Sequence, residues 1–321
     1  MVRLCCGVLD VVDRIEKCPV CETQVSRGWP ALVAPFIADF VLHVPVQRCR
    51  LLECDRCRLR FFAERFTSDE LASLYTGYRG DKYFRSRHRH EPWYTEEYNR
   101  WIGNDIDRTR GRREALKAFL HESGASGPLR EILDYGGDGG QLIPQEMAER
   151  AYVFDISGVS PVAGVHGIAN EESLQPGGYD LTLISHVLEH APEPIELLEK
   201  TRRLAREGGL LYVEVPMERP WMGFVGRGFM MAAYLDLFRR SPILLRCVDF
   251  YSSGFRVKAG FVPPFGFSKL HEHINFFSAE SLKLAVERSG YEVLRVALTS
   301  TLGPTEATDS IACLARAKKS D

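Results

Sequence analysis

The chain has no long hydrophobic run: nowhere along its length do apolar side chains continue for the ~18 positions that span a bilayer, so no membrane-spanning helix is expected. Nor is there an excess of charge of either sign. With 41 basic and 43 acidic residues the net charge is -2, which provides no overall attraction to nucleic acid and leaves only a local basic patch as a source of one. Internal repeats and long low-complexity segments are absent, so neither a repeat array nor a disordered tail organises the chain. At the amino terminus, MVRLCCGVLDVVDR, Asp10 and Asp13 interrupt the apolar stretch too early for a secretory signal. A soluble, cytoplasmic protein is the expectation. The composition, 45% hydrophobic and 26% charged over 321 residues, is that of an ordinary globular protein with room for one or two domains.

Cysteine is unevenly used. All but Cys247 and Cys313 of the nine cysteines lie at or before Cys57, among them the pairs Cys18-Pro-Val-Cys21 and Cys54-Asp-Arg-Cys57. Each C-x-x-C turn aims two thiolates at one point, and two such turns supply the tetrahedral sulfur set that Zn2+ favours. A redox dithiol needs only one pair, and disulfides are disfavoured in a cytosolic chain. Structural zinc held by Cys18, Cys21, Cys54 and Cys57 is the expected arrangement, with Cys49 as the spare ligand; scattered core cysteines are the alternative. Four thiolates leave no open position, so such a metal would be structural rather than catalytic. Residues 1–66 are thus read as a zinc-binding, ribbon-like segment.

Residues 67–107 form a helical, aromatic connector. TSDELASLYTGY carries a capping signal, Thr67 or Ser68 followed by Glu70, and RGDKYFRSRHRHEPWYTEEYNRW mixes tyrosines with Arg85, Arg87 and His88. Basic residues among aromatics suit nucleic-acid contact, but Glu91, Glu96 and Glu97 dilute the charge, and nucleic acid is not the expected partner. From Arg108 the text alternates. REILDYG, AYVFD, VHGIAN, YDLTLIS and GGLLYVEVP are short apolar runs, and helical stretches such as PEPIELLEKTRRLAREGG lie between some of them. That alternation predicts a parallel, doubly wound sheet over 108–321.

In such a sheet ligands bind at the carboxyl edge, where the chain places EILDYGGDGGQLIP. Its glycines let the backbone turn sharply and approach a ligand closely, and the last residues of the stretch are expected to open a helix. Asp134 is followed, at the close of the next strand, by Asp155, where a carboxylate can accept both ribose hydroxyls of a nucleoside. A dinucleotide fold would require G-x-G-x-x-G; here Asp134 and Asp138 would repel a pyrophosphate. S-adenosylmethionine carries a sulfonium and an ammonium group, and on charge grounds it fits an acidic loop better than NAD.

At this point residues 108–321 resemble the class I S-adenosylmethionine-dependent methyltransferases, with a seven-stranded Rossmann-like sheet. LDYGGDGG is similar to the family's glycine loop, VFDIS to its ribose-binding acid, YDLTLISHVLEHAPEP to its fourth strand and loop, REGGLLYVEVP to its fifth strand and HINFFSAESLKLAVERSGYEV to its closing helix and strand. The resemblance implies that Asp134, Gly136, Gly137, Asp138 and Gly140 line the methionine end of the cofactor. It implies Asp155 and Ile156 at the ribose, Ala169 and Asn170 beside the adenine, and Ser185 and His186 beneath it. The family pattern D-x-G-x-G-x-G has glycine where this chain has Asp138.

Two histidine clusters remain. His186-Val-Leu-Glu189-His190 spells the H-x-x-E-H of a zinc-peptidase helix, but here it runs off a strand and meets Pro192, which does not suit that helix. His190 either faces the substrate or is satisfied by backbone hydrogen bonds. His271-Glu272-His273 resembles the HEH motif of zinc-containing sugar C-methyltransferases, which implies Glu272 and His273 as a general base and its orienter; a packing role is the alternative. Tyr75, Tyr78 and Tyr83 loosely echo the tyrosine-rich segment of those enzymes, whose further carboxyl-terminal domain has no counterpart here. The insertion 217–270, rich in aromatics and methionine, suits a substrate lid; a dimer interface or a membrane-surface face are the alternatives.

The expected function is S-adenosylmethionine-dependent methylation of a small molecule, with a nucleotide-linked or polysaccharide sugar as the candidate acceptor. The competing reading is a docking module whose zinc segment binds protein or RNA, with the methyltransferase fold acting on that partner or serving as scaffold.

Overall fold

The computed structural model describes residues 13–104, 106–125, 127–218, 229–259, 267–301 and 308–318. In chain order the first strands are β1 (Asp13–Arg14), β2 (Gly28–Val33), β3 (Arg48–Glu53), β4 (Arg60–Phe62) and β5 (Glu64–Arg65), with α1 (Pro35–Phe40) between β2 and β3. Four helices follow: α2 (Ser68–Tyr75), α3 (Asp81–His90), α4 (Glu96–Asn104) and α5 (Ile106–Glu122). The alternating region comprises β6 (Leu129–Tyr135), β7 (Ala148–Phe154), β8 (Val165–Ile168), β9 (Tyr179–Ser185), α6 (Pro194–Leu204) and β10 (Ala205–Pro216). The insertion contributes α7 (Phe229–Arg240) and α8 (Pro242–Ala259). After it come β11 (Lys269–Leu270), β12 (Asn275–Phe276), α9 (Ala279–Arg288), β13 (Tyr291–Thr301) and β14 (Thr308–Ala317).

Seven strands form one sheet in the order β13-β14-β10-β9-β6-β7-β8. All neighbours from β10 to β8 are parallel, and β14 runs antiparallel to both β10 and β13. The apolar runs read in the sequence are these parallel strands, continuous rather than alternating because both faces are covered; β6 ends in an unbroken buried run from Glu131 to Tyr135. On one face α6 and α9 set Leu198, Leu204, Leu282 and Val286 against Leu133, Ile184 and Val213. On the other, α5 sets Leu116, Phe119 and Leu120 against Ile132, Leu183 and Tyr212. The strand order reverses at β6, between β7 and β9, so a crevice opens at the carboxyl ends of these strands.

One expectation is corrected here. The glycine stretch opens no α-helix: residues 136–147 carry the chain from β6 to β7 through a loop and a single 3-10 turn at Gln145–Met147. So short a connection, containing both the glycine loop and Pro144, leaves no length for a helix that would pack on the sheet. The crossover from β8 to β9 is likewise a loop with one 3-10 turn, Glu171–Ser173.

The second sheet, of five strands in the order β11-β2-β3-β4-β12, joins the amino-terminal segment to residues 269–276. Its core brings together Phe36, Ile37, Leu51, Phe62, Leu74, Tyr83 and Tyr94. The His271-Glu272-His273 segment lies between its two outer strands, β11 and β12, and is thereby held at both ends. Helix α2 starts with a reciprocal cap, Thr67 Oγ1 accepting from the Glu70 N–H while the Glu70 carboxylate accepts from the Thr67 N–H.

The described helices of the insertion are α7 and α8. Met231, Leu235 and Phe238 of α7 and Leu245 of α8 pack with Leu32 of β2, because their apolar stripe covers the second sheet. Residues 219–228 and 260–266 of the insertion lie outside the described residues, as do Cys5, Cys6 and the amino-terminal stretch. Among the described residues no helix is long and apolar enough to cross a membrane.

Candidate active site

The crevice at the strand reversal is a cavity of about 1440 Å³. Its floor begins with Asp134, the penultimate residue of β6, which is 1% exposed and whose two carboxylate oxygens have no hydrogen-bond partner. Burial, and then the neighbouring Asp155 and Asp138, push this carboxyl up to about 7. A Cβ at Gly137 would stand 2.1 Å from the Asp134 carboxyl group, so glycine is required for the loop to fold over the acid. Asp138, the departure from the family pattern, has φ +51°. Aspartate is among the few residues that tolerate this left-handed conformation, and its backbone does there what glycine would. The Asp138 carboxylate lies 3.4 Å from the Arg79 guanidinium.

Asp155 follows β7 directly. Its Oδ2 accepts from the Asp138 N–H at 2.8 Å and its Oδ1 from the Ser157 N–H at 2.7 Å, which orients both oxygens at the cavity wall. Ile156 beside it is 50% exposed, an apolar side chain at the cavity mouth. On the other side of β6, the end of β9 is tied down. Arg112 of α5 donates to Ser185 Oγ (2.7 Å) and to Glu214 (3.0 Å), and Ser185 Oγ donates to Glu214 at 2.8 Å. His186 then takes φ +55°, and the chain turns into a 3-10 turn over Leu188–His190.

The connector roofs this floor. Tyr75, Tyr78, Arg79 and Tyr98 all line the cavity, and the Gly77 N–H donates to the Ser157 carbonyl at 3.1 Å. Opposite the glycine loop stand His190 and His273, whose rings meet edge to face with centroids 4.7 Å apart. His190 Nδ1 is 2.9 Å from the Glu272 carbonyl oxygen and 2.8 Å from the Tyr75 hydroxyl. His273 Nδ1 is 3.1 Å from Glu218. Burial holds the His190 imidazole below its ordinary value, although Glu189 opposes this. Burial would lower His273 also, but the Glu218 carboxylate outweighs it and raises the group to about 9.

Glu272 takes a different position. It does not line the cavity; its carboxylate accepts from the Tyr83 hydroxyl and lies 3.3 Å from the Arg87 guanidinium. Burial alone would raise this carboxyl, but Arg87 above all, then His271 and Tyr83, hold it down at about 2. Glu272 is therefore a buried anion that anchors the turn carrying His273. Arg87 also pairs with Glu91 at 2.9 Å, and Glu91 pairs with Lys269 and His271, so α3 and the HEH turn are one ionic network.

Thus Asp134, Gly136, Gly137, Asp138, Asp155, Ile156, Ser185, His186, His190 and His273 converge on one cavity. Gly140 lies behind the loop, where a Cβ would meet Val165 and Val153. Ala169 and Asn170 are not among the lining residues, and the Asn170 side chain caps the 3-10 turn at the Ser173 N–H. Sequence reading did not single out Arg79, Tyr98, Arg112, Glu214 or Glu218, and it named Glu189 only as the acid of H-x-x-E-H, with no role at the site.

The four paired cysteines converge separately. Cys18 Sγ is 3.5 Å from Cys57 Sγ and Cys21 Sγ is 3.4 Å from Cys54 Sγ, all four are buried, and their sulfurs lie within 4.8 Å of one another. These separations are far beyond an S–S bond of about 2.05 Å and bring four thiols into one compact buried cluster. Cys49 sits elsewhere, in β3. The two turns pack against α9, where Arg288 donates to the Val20 carbonyl at 2.8 Å and Ser278 Oγ to the Cys57 carbonyl at 3.4 Å.

Among curated proteins no match is found. Solved structures similar to this chain include the 1,6-didemethyltoxoflavin-N1-methyltransferase of Burkholderia thailandensis with bound 1,6-didemethyltoxoflavin and S-adenosylhomocysteine. It is 15% identical, with 84% of this chain and 96% of that chain covered and a TM-score of 0.48. Another is the N-methyltransferase NodS of Bradyrhizobium japonicum WM9 in complex with S-adenosylhomocysteine, at 12% identity, 74% and 98% coverage and a TM-score of 0.39. The family described as "Methyltransferase domain" matches residues 108–296, more than half of the chain. Strands β6 to β10, the glycine loop and the acid after β7 all fall inside that match: the chain belongs to the methyltransferase domain family.

Proposed function

We propose that this enzyme transfers the methyl group of S-adenosylmethionine to a small hydroxyl-bearing acceptor held between the glycine loop and the tyrosines of the connector. The observation that carries the cofactor placement is the Asp134 carboxylate, buried without a partner beneath a loop that folds onto it. A buried carboxylate in that state is costly unless a cation compensates it, and the ammonium and sulfonium of S-adenosylmethionine supply positive charge at that end. The two oriented oxygens of Asp155 keep lone pairs for the ribose hydroxyls, and Ile156 offers an apolar face to the adenine.

The acceptor then occupies the side of the cavity bounded by Tyr75, Tyr78, His190 and His273. Transfer is an in-line displacement. A lone pair of the acceptor attacks the methyl carbon, the carbon–sulfur bond breaks with its electron pair passing to sulfur, and the acceptor's proton leaves. The walls exclude water and hold acceptor and methyl in line, which is most of what the reaction requires. His190 and His273 are the polar groups placed beside the acceptor's hydroxyl, with Glu272 positioning them through its carbonyl and its ion pair. A nucleotide-linked sugar fits this reading, since its hydroxyls match the polar wall of the cavity; a protein or RNA acceptor has no specific observation in its favour.

Zinc belongs to the same proposal as a structural element held by Cys18, Cys21, Cys54 and Cys57. Its closed S4 set offers no substrate position, so its contribution is to fix the two turns against α9.

The test is calorimetric titration of the zinc-replete protein with S-adenosylmethionine and S-adenosylhomocysteine, repeated on Asp155→Ala. Binding by the wild type that weakens at least about tenfold in the variant is expected from loss of the paired ribose hydrogen bonds. Absence of binding by folded wild-type protein would refute the placement.

A further inference from the structure

We infer that Glu189, His190 and His273 form a binding site for a divalent first-row metal ion, separate from the cysteine site, which holds the acceptor oxygen during methyl transfer. Each of the three residues offers one ligand atom, and the three atoms lie within 4.8 Å of one another. This is two imidazoles and one carboxylate, a donor set that binds Mn2+, Fe2+, Co2+ or Zn2+ while leaving coordination positions open.

Three observations support an ion rather than a set of packed histidines. Neither oxygen of the Glu189 carboxylate has a hydrogen-bond partner, although the residue is 1% exposed. The imidazole nitrogens beside it are His186 Nδ1 at 3.3 Å and His190 Nε2 at 3.9 Å, the second too far for a direct hydrogen bond. The rings, in turn, are oriented as metal ligands are. The Glu272 carbonyl can only accept, so the Nδ1 of His190 donates to it and Nε2 is left with a lone pair on the Glu189 side. The Glu218 carboxylate accepts from His273 Nδ1 in the same way, and a bound metal ion would displace the proton of its Nε2. A carbonyl or carboxylate behind each ring is the outer-shell arrangement that fixes the tautomer of a metal-bound histidine. Finally, His190, His273 and Glu218 line the cavity, so the open coordination positions face the acceptor.

The role follows from this geometry and rests on the proposed function. A cation between Glu189 and the two histidines would bind a hydroxyl oxygen of the acceptor and lower its pKa. The proton leaves to solvent, the oxygen lone pair attacks the methyl carbon, and the displaced electron pair goes to sulfur. The acceptor class is then an oxygen nucleophile, best one with two neighbouring oxygens that chelate. The H-x-x-E-H text thus contributes only Glu189 and His190, and the third ligand, His273, comes from beyond the insertion.

The experiment titrates Mn2+ into the zinc-replete protein and follows free Mn2+ by electron paramagnetic resonance, with Glu189→Gln and His273→Ala as variants. S-adenosylmethionine titration and circular dichroism are run on each. One Mn2+ per chain is expected, with affinity reduced about tenfold or more in both variants while S-adenosylmethionine binding and fold are retained. Unchanged Mn2+ affinity in both variants, or no binding by the wild type of Mn2+, Co2+ or further Zn2+, would overturn the site. Should Glu189→Gln not fold, His273→Ala decides alone. Mn2+ binding that depends on these residues in a protein that does not bind S-adenosylmethionine would keep the metal site and overturn its part in methyl transfer.

Discussion

The backbone N–H of Asp138 donates to the carboxylate of Asp155 across 2.8 Å, which ties the glycine loop after β6 to the acid after β7. The bond explains how a loop with aspartate in a glycine position keeps its path: the left-handed turn at Asp138 aims its N–H at Asp155, and the side chain is turned toward Arg79. Asp138→Gly retains this N–H and relieves the non-glycine left-handed conformation. It loses only a partly exposed ion pair, of little net value. The expected result in calorimetric titration is S-adenosylmethionine affinity within about threefold of wild type, a change under roughly 0.7 kcal/mol.

Gly137→Ala has the opposite outcome. The new Cβ would fall 2.1 Å from the Asp134 carboxyl, so the loop or the acid must shift. Overpacking of this kind costs about 1–3 kcal/mol. Thermal melts should show the loss of stability, and titration should show S-adenosylmethionine binding weakened by more than tenfold as the loop shifts, a drop above about 1.4 kcal/mol.

Asp134 makes stability depend on pH in a stated direction. Its carboxyl is raised from 3.8 to about 7 in the folded protein, so between those values the folded state binds more protons than the unfolded chain. Its contribution to stability is greatest at low pH, declines as pH rises through that window, and is constant above it. Asp134→Asn removes the decline. The variant should gain roughly 1–3 kcal/mol over wild type at pH 8, net of the cost of a buried amide, and show no gain near pH 4. Denaturant unfolding at the two pH values checks this, and the same variant should bind S-adenosylmethionine more weakly.

Cys54→Ser should lower the zinc content of purified protein from one per chain and lower the melting temperature. Cys49→Ser, whose sulfur belongs to β3 and not to the four-sulfur set, should retain full zinc content. Atomic emission analysis of the two proteins side by side distinguishes them.

Much of the methyltransferase fold is legible in local text. β6, β7, β9 and β10 are visible because strands covered on both faces carry continuous apolar runs, and the cap at Thr67 and Glu70 is visible because its two hydrogen bonds join positions one helical turn apart. Asp134, the loop glycines and Asp155 can be read at the carboxyl edge, since strand, turn and acid follow one another in the chain. The paired C-x-x-C turns are legible for the same reason, each turn being complete within its own motif. The missing helix after β6 is not, because glycine and short apolar text leave turn and helix start undistinguished until the length to the next strand is counted.

Tertiary structure alone decided what lies across the cavity from that edge. The second sheet recruits β11 and β12 from residues 269–276 to close on β2 and β4, and only that pairing brings His273 to His190 and buries Glu272 against Tyr83 and Arg87. Tyr75 reaches His190 across 115 positions, and the helices of the insertion pack with Leu32 of β2. Local pattern specifies hydrogen bonds and burial among residues a few positions apart. Which distant faces meet depends on the complementary surfaces those elements present once formed, and no spacing within one segment records it.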